Sequence, residues 1–133
     1  MGTTNYCNTF VSIAPDSLAI SGIVPSKPGS VAALQHALLA DAPYKMTSDD
    51  LPFAVHAARR GIDAEEMASE RRAFFEKSQA CLRASPLPKS FGWGIHHDAD
   101  GRVAIHSVGS TEYVQLSTDG AIKQTSAMRS KRV

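Results

Sequence analysis

Residues 92–106 read Gly92-Trp93-Gly94-Ile95-His96-His97-Asp98-Ala99-Asp100-Gly101-Arg102-Val103-Ala104-Ile105-His106, and this stretch decides the fold. Two runs of alternating character flank an Asp-Gly step, which is a strong hairpin signal. A type I turn with Gly101 in the left-handed region pairs Asp98 with Arg102. That register puts Trp93, Ile95, His97, Val103 and Ile105 on one face of the ribbon. Gly94, His96, Arg102 and His106 fall on the other. The first set is the apolar one, so it is expected to face the core.

Working outward, Ser110 is placed to cap a short helix through Thr118 that carries Tyr113, Val114 and Leu116. Asp119-Gly120 then makes a turn, and residues 121–128 are expected to form a last strand. Upstream of the hairpin, Pro86 and Pro88 predict a loop, and residues 81–84 a short extended piece. Asp63 caps a helix to about Lys77, with Met67, Phe74 and Phe75 on its apolar side. Thr47 and Asp50 have the spacing of a capping box for a helix that ends at Gly61 and buries Leu51, Val55 and Ala58. Ser30 caps an earlier helix with a stripe of Val31, Leu34, Leu38 and Ala42.

Between Asp16 and Gly29, Gly22, Pro25, Pro28 and Gly29 break any period. The apolar Leu18, Ile20, Ile23 and Val24 suggest that this loop lies over the body. Residues 6–13 alternate with bulk on both sides and read as a strand covered on each face. The order is strand, helices, hairpin, helix, strand. That segregation predicts an α+β fold: an antiparallel sheet packed by three to four helices.

The totals bound the function. A chain of 133 residues is expected to make one domain. A formal net charge of +1 supplies no field to attract nucleic acid or an anionic membrane. Two cysteines, Cys7 and Cys81, are no disulfide framework. The start has no signal-peptide pattern, and no apolar run approaches the ~20 residues of a spanning helix. A cytoplasmic location and no membrane partner are the expectation. No motif calls for a cofactor. The tail from Arg129 is basic, short and expected to be disordered.

Candidate chemistry clusters in the second half. His96 and His106 are diagonal neighbours in the predicted register, roughly 7–8 Å apart at Cα. They are candidate metal ligands, but no third and fourth ligand follow at metal-site spacing. His96 and His97 point to opposite faces and cannot share an ion.

Cys81 lies near Arg83, and a nearby cation favours thiolate. Cys81 or His96 could therefore serve catalysis, with Arg83 gripping an anionic group through its planar fork. Packing is the ordinary role of a free cysteine. Glycines around Trp93 let another group approach closely. Trp93, Tyr44, Arg83, Ser85 and His97 are candidate ligand-binding residues. The hairpin edge could also pair in a homodimer.

Several stretches together resemble a known family: Asn5-Tyr6, Asn8-Thr9-Phe10, Thr47-Ser48-Asp49-Asp50-Leu51, Leu82-Arg83-Ala84-Ser85-Pro86 and Gly92-Trp93-Gly94-Ile95-His96-His97. They are similar to the domain-of-unknown-function family 6157, over nearly the whole chain. The resemblance implies a stand-alone bacterial protein of one domain, and it implies no activity or substrate. The residues leave two readings open: a non-enzymatic ligand- or partner-binding domain, or a small enzyme using Cys81 or His96 with Arg83.

Overall fold

A computed structural model of the chain describes residues 6–76 and 81–129. The fold is α+β. Strand β1 is Thr9–Ser12, followed by helices α1 (Val31–Asp41), α2 (Asp50–Arg60), α3 (Met67–Glu76) and α4 (Pro86–Ser90). Strands β2 (Trp93–His97) and β3 (Val103–Ser107), helix α5 (Thr111–Ser117) and strand β4 (Lys123–Ser126) complete it.

The sheet has the order β3-β2-β1-β4. β1 and β2 are antiparallel, as are β2 and β3. β4 runs parallel to β1, so the sheet is mixed and not purely antiparallel. The crossover through α5 permits this, since a parallel neighbour needs a long connection. The five described α-helices also exceed the three to four expected, because the segment with two prolines is helical.

Between β2 and β3, Asp98 N–H donates to Arg102 O at 2.9 Å, and Gly101 has φ 79°. His97 pairs with Val103, Ile95 with Ile105 and Gly94 with His106. Helices α1 and α4 cover the face that carries Ile95 and Val103, with Leu39, Leu51, Leu82 and Leu87 in the core. Helix α5 covers the opposite face. There Tyr113 and Phe10 meet edge to face at 5.0 Å, directly over Gly94. A Cβ on Gly94 would come within 2.5 Å of the Phe10 ring, so this glycine is the condition for the second layer.

Local chemistry explains where the elements start. Thr47 N–H donates to Asp50 Oδ2 at 3.0 Å, and Asp50 N–H donates to Thr47 Oγ1 at 3.2 Å. These reciprocal bonds are a capping box. Ser30 and Ser110 cap α1 and α5 by accepting from Ala33 N–H and Tyr113 N–H.

Other expectations need correction. The buried face of α1 is Ala32, Gln35 and Leu39, one position on from the predicted stripe. Residues Pro86–Ser90 form a short helix, not a loop. Ser85 caps it, and both prolines fall in the first turn, where a missing N–H costs nothing. Leu82–Ala84 is a 3-10 turn and not an extended piece. The apolar residues of the 16–29 loop face water: Leu18 is 95% and Ile20 90% exposed. The end of α3 predicted at Lys77 and the tail from Ser130 lie outside the described residues.

Candidate functional site

Strand alternation splits the two adjacent histidines into different environments. His96 emerges on the α5 side of the sheet, half-buried. Its Nδ1 lies 2.9 Å from the Tyr44 hydroxyl. His106 Nε2 lies 3.0 Å from the same oxygen. Tyr44 is delivered by the 43–47 segment, which runs along the outer edge of β3. Tyr44 N–H donates to Val103 O at 2.9 Å, and Val103 N–H donates to Met46 O at 2.8 Å. The predicted pairing edge of the hairpin is therefore partly taken by the chain itself. Tyr44 adopts φ 59°, which is rare for a bulky residue. A single hydroxyl can donate to only one imidazole nitrogen. Full satisfaction requires the other histidine to donate to it, so the two rings must hold complementary tautomers.

The electrostatics around this triad are mixed. Burial holds His96 below the usual histidine range, while Asp98 and Asp119 pull it upward. Burial, reinforced by His96, lowers His106, with Glu112 opposing. Burial and then Asp98 raise Tyr44. Three carboxylates thus surround a neutral donor set.

His97 lies on the other face, fully buried, with both ring nitrogens unpartnered. The Tyr6 ring meets it edge-on at 5.2 Å. Burial lowers its pKa to about 4; His96 adds to this, while backbone groups of Thr9 and Ile95 and the Asp98 charge oppose. The backbone groups fall short of hydrogen-bond geometry, so desolvation dominates. Tyr6 also reaches Cys81, its hydroxyl donating to Sγ at 3.2 Å. This bond, then burial, raises the tyrosine pKa. Arg83 Nε donates to Ser126 O at 2.6 Å. Cys81 and Arg83 therefore sit by Tyr6, with His97, while His96 is across the sheet. Of the two alternative catalytic candidates, Cys81 therefore lies on Arg83's side of the sheet and His96 does not.

Two further candidates have structural partners. Ser85 is buried, accepts from Leu87 N–H and donates to Gln35 Oε1 at 2.5 Å. Trp93 Nε1 donates to Ile23 O at 2.8 Å and stacks at a tilt on His36. The group that approaches Gly92 is the protein's own loop, while Phe10 and Tyr113 approach Gly94. A Cβ on Gly92 would lie 2.4 Å from Ser21 O, and one on Gly22 would enter the Trp93 ring at 2.6 Å.

A cavity of about 490 Å³ lies between α1 and α2; none of these candidates lines it, though Ser85 bonds to Gln35 in its wall. Val31, Pro52 and Val55 give it apolar walls, and Gln35 lies at its buried side. His56, Arg59 and Arg60 complete the lining. Neither arginine has an ion pair among the described residues. The sequence carried a signal for this site: His56, Arg59 and Arg60 are spaced i, i+3, i+4, which places them on one helix face. Arg59 and Arg60 lie in the last turn of α2, where basic residues also offset the helix dipole.

A family model described as a family of unknown function, DUF6157, matches residues 1–133. No curated protein and no solved structure matches the chain.

Proposed function

The chain belongs to the DUF6157 family, and from that premise we propose that it is a binding domain for a small organic anion with an apolar body. The α1/α2 cavity is the site. One observation carries the reading: two arginines without acidic partners and a histidine converge on an apolar-walled cavity of about 490 Å³. That volume is in the range of small-molecule sites. The apolar walls suit a hydrocarbon or aromatic body. A guanidinium pair suits a carboxylate, because the planar fork donates two parallel hydrogen bonds. The first turn of α1, capped by Ser30 and contributing Val31, adds the positive end of a helix dipole.

The test is a thermal-shift and calorimetric titration of the full chain with octanoate and benzoate against their uncharged amides. The carboxylates should raise the midpoint, with about 2.7 kcal/mol gained at a hundred times Kd. The amides should not. Arg59→Ala with Arg60→Ala should weaken carboxylate binding at least about tenfold, a loss of ~1.4 kcal/mol. Equal responses to acid and amide, or an unaffected double variant, would count against the reading.

A further inference from the structure

Three donors on the α5 side of the sheet lie together, and the α1/α2 cavity does not account for them. We propose that His96 Nδ1, His106 Nε2 and Tyr44 Oη form a binding site for a divalent first-row transition-metal ion, copper(II) or zinc(II). Among the described residues no cluster of three His, Cys, Asp or Glu is arranged to hold a metal. The third ligand is therefore the phenol oxygen.

The geometry supports this in three ways. The two imidazole nitrogens lie 2.9 and 3.0 Å from the same oxygen. Ligands bound about 2.0–2.1 Å from one ion at roughly right-angled positions stand about 3 Å apart, which is the separation of each nitrogen from the phenol oxygen. Two imidazoles with one oxygen form a borderline donor set that suits copper and zinc. Finally, the charged side chains that act on these three groups are acidic. Asp98 acts on Tyr44 and His96, Asp119 on His96, and Glu112 on His106. They favour a cation at the point where the donors meet.

The backbone adds a separate argument. Tyr44 is held at φ 59° by its bond to Val103 O. A bulky residue in this region is strained, and such strain concentrates at functional positions. Moving Tyr44 elsewhere would relieve it and lose the convergence.

On binding, the ion takes the lone pairs of both nitrogens. The ring protons then occupy His96 Nε2 and His106 Nδ1. The Tyr44 hydroxyl proton leaves to solvent, and the phenolate oxygen becomes the third ligand. Water fills the remaining positions. Affinity therefore falls as pH drops, since protons compete for all three donors.

The experiment uses untagged protein of full length with Cys7→Ser, so that the exposed thiol does not compete. Copper(II) alone is titrated and followed by calorimetry and visible absorption. One ion should bind per chain with a phenolate-to-copper charge-transfer band. Tyr44→Phe should abolish the band and weaken binding at least about tenfold, as should His106→Gln. Tyr44→Phe keeps the ring, and a thermal scan confirms that it folds. Binding without the band, or affinity unchanged in both folded variants, overturns the proposal. Arg59→Ala should leave copper binding intact, which separates this site from the anion cavity.

Discussion

His97 is a buried base with nothing to bond. Its ring nitrogens have no partner, and its pKa stands at about 4. An unfolded chain takes up a proton near pH 6.5, which the folded chain refuses until about pH 4. Stability is therefore full above the unfolded value and lost as pH falls through that window. The loss should be on the order of 3 kcal/mol. His96 and His106, also lowered, push the same way. His97→Phe replaces an unsatisfied polar ring by an apolar one of similar shape. It should be neutral or stabilising at pH 7 and should flatten the loss between pH 7 and 5. Urea denaturation at both pH values checks this; equal slopes in wild type and variant would sink it. The sequence placed His97 on the core side but could not show that no partner awaited it there. It likewise put His96 and His106 side by side. It offered no means of seeing that Tyr44, some fifty residues upstream, sends its hydroxyl between them.

The elements show which local signals dominate. Where a side chain bonds its own neighbours, the sequence was readable: the capping box at Thr47 and Asp50 and the serine caps at Ser30 and Ser110 are all present. Thr47→Ala should cost about 1 kcal/mol in thermal or chemical unfolding; no change would mean the box is redundant. Proline misled, since Pro86 and Pro88 look like breakers and are first-turn residues. The face of α1 misled for another reason. Gln35 is buried because Ser85, fifty positions away, donates to it. A polar residue drawn inward by a distant partner leaves no periodic trace. The 16–29 loop is held not by its apolar residues but by three bonds: Gly22 N–H to Ser107 Oγ, Ile23 N–H to Phe91 O and Trp93 Nε1 to Ile23 O. Gly92→Ala combines φ 77° with a 2.4 Å clash against Ser21 O. It should destabilise by more than about 2 kcal/mol and raise amide exchange across residues 19–23 first.

Across the whole molecule, stability is uneven. No residue of α3 is buried. It is anchored to α2 by the Arg71–Asp50 ion pair at 2.8 Å, itself about 40% exposed, by the Arg71 guanidinium over Phe53, and by Phe74 against Phe53 and His56 at ring distances of 5.7 and 4.8 Å. An exposed ion pair contributes at most about 1 kcal/mol. A cavity of about 610 Å³ lies between α2 and α3, lined by Phe53, Ala57, Ile62 and Met67. Of the longer helices, α3 should exchange its amides fastest, and Arg71→Ala should speed it further without lowering the global midpoint much. Uniform exchange across α1, α2 and α3 would contradict this. Among the described residues no helix is long and apolar enough to cross a membrane. The α+β class was legible because the hairpin carries its own register. The mixed sheet was not, because the direction of β4 depends on where α5 packs.

The position of β1 has a consequence for synthesis. The first strand of the described residues is an inner strand of the sheet, and its neighbours come from residues 93–97 and 123–126. A nascent chain leaving the ribosome at ~5–20 residues per second exposes β1 for several seconds before either partner exists. The sheet therefore cannot close until residues 123–126 have emerged, and it closes through contacts of long sequence separation, which are slow to form. Chains halted before Lys123 would present β1 with one open ladder. Such chains, rather than the finished protein, are where aggregation and chaperone engagement should concentrate.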